Sequence, residues 1–116
     1  MGTWGVAAWD NDGAADWYGD LFQVTKLATR VEKVLKKKDV EEWHEEIRAA
    51  AYLLVALGRP FIWPVDVLDQ HLQLAIDRLE EIKGLEEFEG GGDFGAAIDE
   101  EIAILRSRLQ PAAADV

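Results

Sequence analysis

Apolar residues recur along this chain at alternating intervals of three and four, the spacing that aligns side chains on one face of an α-helix. Trp17, Leu21, Val24, Ala28, Val31 and Leu35 form the first such stripe and predict a helix over residues 13–37. Asp12 is its expected N-cap, with Asp16 in the first turn and Lys36, Lys37 and Lys38 at the end where they complement the helix dipole. Asp39, followed three residues later by Glu42, is a variant of the capping box and opens a second predicted helix, whose seam is Val40, Trp43, Ile47, Ala50, Leu54 and Leu57. Gly58 and Pro60 end it. Ala49, Ala51, Tyr52, Leu53 and Val55 make this helix apolar nearly all round, which predicts a central position or a face that dimerises.

Beyond the apolar connector Arg59-Pro60-Phe61-Ile62-Trp63-Pro64, the stripe Val65, Leu68, Leu72, Ala75, Leu79 and Ile82 predicts a third helix. Pro64 suits its first position, and Gly84 with Leu85 reads as a Schellman-type ending that packs Leu85 on Leu79. Acids and three consecutive glycines over residues 86–93 predict a loose loop. Ile98, Ile102, Leu105 and Leu109 then mark a fourth helix over residues 94–109, and 111–116 read as a frayed tail. No segment alternates apolar and polar residues as a strand would. The expectation is an all-α fold: one domain over 1–116, an antiparallel bundle of about four helices over 13–110, and an N-terminal Trp-rich strap over 1–12.

Composition narrows the function classes more than it names one. The 116 residues are 49% hydrophobic and include no cysteine, so packing rather than disulfides or cysteine-bound metal must hold the fold. No basic and apolar leader opens the chain, and no run of apolar residues is long enough to span a bilayer, so a soluble, cytoplasmic protein with no membrane contact is expected. The net charge is −11, and it is uneven: residues 1–38 hold five acids and six bases, residues 39–116 eighteen acids and six bases. An acidic second half repels phosphate backbones and argues against nucleic-acid binding, whereas it would steer a basic protein partner.

Candidate chemistry is sparse. Glu41 and His44 have the Glu-x-x-His spacing of di-metal bundles, but such a site needs a second copy, and His71, the other histidine, does not supply one. A solvated face is the simpler reading. Asp10-Asn11-Asp12-Gly13 resembles part of a calcium loop, yet with Gly13 at the sixth position the first would be Ala8 and the twelfth Gly19, neither of which offers a side-chain ligand. No nucleophile arrangement, phosphate loop or dinucleotide fingerprint is present, so no catalytic residue, metal or cofactor is implied. The densest group is Trp4, Trp9, Asp10, Asp12 and Asp16 at the start of the chain. A strap that fills the end of the core is the first reading of it; a binding patch for a cationic or aromatic group is the other.

Gly2-Thr3-Trp4-Gly5, then Trp9-Asp10-Asn11-Asp12, then Ala14-Ala15-Asp16-Trp17 resembles the start of the family called domain of unknown function 4259. These short, mostly bacterial proteins open Gly-Thr-Trp-Gly-x-Gly-x-Phe-x-Asn-Asp-x-Ala, with an Asp-Phe or Asp-Trp pair after. Ala7 replaces the usual glycine and Trp9 the usual phenylalanine. The resemblance implies a small helical domain and no established activity. The acidic second half and the N-terminal aspartates leave two functional expectations: a non-enzymatic acidic interaction module of inhibitor or immunity type that binds a basic protein, or a metal-binding protein or hydrolase using the N-terminal aspartates. A homodimer through the second predicted helix or the Phe61-Ile62-Trp63 connector is a third.

Overall fold

The computed structural model describes residues 5–85 and 92–109. They fold into five helices, α1 (Asp12–Thr25), α2 (Leu27–Leu35), α3 (Val40–Leu57), α4 (Val65–Lys83) and α5 (Gly92–Arg108), with no strand among them. Trp4, most of the predicted glycine loop and the predicted frayed tail lie outside the described residues.

The first predicted helix is two. Asn11, not Asp12, is the N-cap, and its side chain accepts the Ala14 N–H at 2.8 Å. Asparagine and aspartate cap equally well, so the neighbouring position could take the role. α1 stops at Thr25, whose hydroxyl donates back to the Leu21 carbonyl at 2.7 Å, and Lys26 then adopts a left-handed conformation at φ 56°. One such residue redirects the axis and resets which side chains face inward. Trp17, Leu21 and Val24 consequently fall out of line with Ala28, Val31 and Leu35 and stand exposed, while Phe22 is buried in their stead. The predicted six-residue stripe is correct only for its α2 half.

Asp39 caps α3 as its sequence predicts, accepting the Glu42 N–H at 3.1 Å. Gly58 ends α3 with φ −78°, so the ending needs no positive φ. It needs room: a Cβ there would lie 2.4 Å from the Leu54 carbonyl oxygen. α4 begins one residue after Pro64, which is its N-cap. Val65, the first member of its predicted stripe, is exposed, whereas Leu68, Leu72, Ala75, Leu79 and Ile82 are buried. Gly84 closes α4 in a right-handed conformation, with its N–H bonded to the Glu80 and Glu81 carbonyls, so the expected Schellman ending does not form. α5 starts at Gly92, two residues ahead of expectation, where φ is 78° and only glycine sits easily. It buries Ile98, Ile102 and Leu105.

Cross-helix contacts give the directions. Arg48 pairs with Glu101, and Arg108 donates to the Leu54 and Val55 carbonyls, so α3 and α5 run parallel. Glu32 meets His71 and the Lys37 carbonyl meets Arg78, so α2 and α4 also run parallel. Lys83 with Asp99 and Glu80 with Arg106 make α4 and α5 antiparallel. α3 and α4 form the central pair, with α2 and α5 docked across it, and α1 touches chiefly α2. The core lies between these layers, built from Leu35, Ile47, Ala51, Leu54, Leu72, Ala75, Leu79, Ile98 and Leu105 with almost no exposure. The central position expected for the second predicted helix is thus taken by α3, shared with α4. No described helix is long and apolar enough to cross a membrane.

Candidate functional site

The N-terminal aspartates do not converge. Asp10 turns back on its own segment: its Oδ2 accepts the Ala7 N–H at 3.1 Å, while its N–H donates to the Ala7 carbonyl at 3.0 Å. A Cβ at Gly5 would come within 2.6 Å of that carboxylate oxygen, so a larger residue there would have to displace the Asp10 side chain from the turn. Asp12 and Asp16 are exposed on α1. Among the described residues, no group of three or more His, Asp or Glu side chains is placed to hold a metal ion. Trp9 is half-buried against the core, with the Arg59 guanidinium 4.6 Å from its ring centre, so it anchors the opening segment to the connector between α3 and α4. Of the predicted group, then, Trp9 and Asp10 hold structure, Asp12 and Asp16 face solvent, and Trp4 lies outside the described residues.

α1 and that connector enclose a cleft of about 590 Å³. Ala15, Gly19 and Phe22 form one wall, Phe61, Ile62 and Trp63 another, and Gln23, Lys26, Thr29 and Asp66 supply its polar groups. Two non-glycine residues with positive φ border it, Lys26 at 56° and Phe61 at 73°. The floor is an edge-to-face pair of Phe22 and Trp63, 5.1 Å between ring centres.

Behind Trp63 lies a polar chain that the sequence reading missed. The indole N–H of Trp63 donates to His71 Nδ1 at 3.1 Å, and His71 Nε2 lies 2.7 Å from Glu32 Oε1. Glu32 also takes the Lys36 ammonium at 2.7 Å. An indole can only donate, so Nδ1 is the acceptor and Nε2 carries the proton, the neutral tautomer with both nitrogens engaged. With His71 1% exposed, no lone pair or proton of this ring is presented to a substrate. The chain ties α2, α4 and the connector together. The Lys36 hydrogen bond, then the His71 one, holds the Glu32 carboxyl below the ordinary carboxylate range. The signal for His71 was present: it follows Leu68 by three and precedes Ala75 by four, an inward position that a histidine occupies only with partners.

A second concavity, about 770 Å³, runs between α3 and α5. His44, Glu45, Arg48 and Tyr52 line it from α3, and Phe94 and Glu101 from α5. Arg48 donates to both Glu101 oxygens, at 3.1 and 2.8 Å, a two-pronged pair that raises the pKa of the guanidinium further. His44 therefore borders this groove.

Because α3 and α5 are parallel, their acidic first halves lie at the same end of the bundle. These are Glu41, Glu42, Glu45 and Glu46 with Asp93, Asp99, Glu100 and Glu101. Asp99 and Glu101 are paired with Lys83 and Arg48; the other six make no ion pair among the described residues.

No curated protein and no solved structure matches this chain. A family model, Domain of unknown function (DUF4259), matches residues 2–87, from the Gly-Thr-Trp-Gly opening to the end of α4. The match spans most of the chain and includes the Asp10 turn, the α1–connector cleft and all three members of the Trp63–His71–Glu32 tie. The chain belongs to the DUF4259 family.

Proposed function

We propose that this protein is a non-enzymatic interaction module that binds a basic protein partner, as an inhibitor or immunity-type protein does. The observation that carries this reading is the carboxylate end built by the parallel α3 and α5, where six acids lack a paired cation among the described residues. Such a field raises the rate of encounter with a positively charged surface and discriminates against acidic ones.

The test is capture from native lysate with the wild-type chain and with Glu41→Lys/Glu45→Lys. The expected result is a partner retained at low salt, released at high salt and absent with the charge-reversed variant. Retention indifferent to both salt and charge reversal would overturn the reading.

A further inference from the structure

α1 is apolar on two faces, and only one of them is used. Phe22, the buried residue of α1, seats the helix on the body edge-to-face against Trp63, and Ala15 and Gly19 on the same side face the cleft. On the other side Trp17, Leu21 and Val24 are 62%, 36% and 72% exposed. At about 100° per residue these three fall within an arc of about 60°, nearly opposite the cleft side. The stripe is therefore not a core face awaiting closure of this fold, because α1 is already docked through its other side.

Spacings of four and three are those by which one helix anchors another laid along it. A tryptophan leads the stripe, with its ring edge-to-face on Tyr18 at 5.5 Å, which holds a large apolar surface in a fixed orientation. Along one edge run Asp12, Asp16 and Asp20, one turn apart and all exposed, and no lysine or arginine occurs between residues 12 and 25. Apolar anchors beside a purely acidic edge call for apolar anchors beside a basic edge. We propose that this face of α1 docks an amphipathic helix of the partner, its aliphatic side chains on Trp17, Leu21 and Val24 and its lysines or arginines along Asp12, Asp16 and Asp20. A second copy of the chain is a poorer occupant, since it would bring one net charge of −11 against another. The inference rests on the reading of a basic partner and gives it a contact surface away from the α3–α5 end.

The intact chain is titrated with a synthetic amphipathic helix of leucine and lysine, followed residue by residue by NMR, with a leucine and glutamate peptide as control. The lysine peptide is expected to perturb Trp17, Leu21, Val24, Asp16 and Asp20, and the glutamate peptide none of them. Trp17→Ala weakens binding by about tenfold or more, as loss of a tryptophan anchor does, and Val24→Ser weakens it too. Both positions face solvent, so unchanged circular dichroism shows that the fold is retained. Perturbation confined to the α3–α5 acids would overturn the α1 site and leave the wider reading standing. Binding of neither peptide at low salt would remove both. Dimers that Trp17→Ala converts to monomers would show a second copy as the occupant and equally overturn the proposal.

Discussion

His71 is held at both ring nitrogens, and that double engagement sets the consequence of removing it. Leucine in its place adds apolar area but strands the buried Trp63 N–H, at a cost of about 1–3 kcal/mol. His71→Leu is thus expected to lower the unfolding free energy by about 2 kcal/mol in urea denaturation. Trp63→Phe removes the stranded donor, so the double variant should lose less than the sum of the single losses. Strict additivity would mean that the indole–imidazole bond contributes nothing of its own. At the other end of the chain of contacts, Glu32 has its pKa depressed from an ordinary 4.5, first by Lys36 and then by His71. A depressed carboxyl stabilises the fold above its unfolded pKa and loses that contribution as pH falls through the folded value. Stability should therefore drop as the medium is acidified below about pH 4.5, and Glu32→Gln, which keeps an acceptor for His71 Nε2 but cannot titrate, should flatten that part of the profile. A profile for the Glu32→Gln variant that runs parallel to wild type would rule the residue out as the source. His71 was legible as an inward histidine from its spacing, but Glu32, 39 residues away, was not.

At the scale of elements, boundaries marked by a side-chain cap or by proline could be read to within one residue, and those set by a single backbone conformation could not. Asp39 and Pro64 mark the starts of α3 and α4 in the sequence because their chemistry is local. The break at Lys26 carries no such mark, since a lysine reads as a helix former and the apolar spacing runs straight through it. The misread stripe of α1 follows from that one residue. Its conformation is also what a substitution can interrogate. A left-handed non-glycine residue costs about 1–2 kcal/mol, while glycine costs about 0.5–1 kcal/mol in chain entropy. Lys26→Gly should accordingly raise thermal stability, by up to about 1 kcal/mol. Were residues 12–35 one continuous helix, the same substitution would lower stability by about 1 kcal/mol, so the sign of the shift in melting temperature decides between the two.

For the whole molecule, periodicity yields helices and their inward faces but not which helix lies beside which. That α3 and α5 are parallel neighbours, and that acids from residues 41–46 and 93–101 share one end, appears only once the bundle is assembled. The uneven charge was visible; its concentration was not. Two opposing effects then determine how salt acts on the fold. Exposed pairs such as Arg106–Glu80 and Lys36–Glu32 are each worth about 0–1 kcal/mol and weaken as salt is added. Repulsion among the carboxylates that make no ion pair among the described residues weakens as well, including Glu41 against Glu45 and Glu42 against Glu46, each four residues apart on α3 and costing about 0.2–0.5 kcal/mol. With a net charge of −11, repulsion is the larger sum, so melting temperature is expected to climb as sodium chloride is raised from about 0.01 M to about 0.3 M, where the screening length shrinks to a few ångströms. Glu46→Lys turns one repulsive spacing into an attractive one in the favourable order, glutamate before lysine. It should raise stability at low salt by about 0.5–1 kcal/mol and shrink the salt-induced rise. A melting temperature that falls as salt is added would show instead that the surface ion pairs outweigh the acidic end in holding the bundle together.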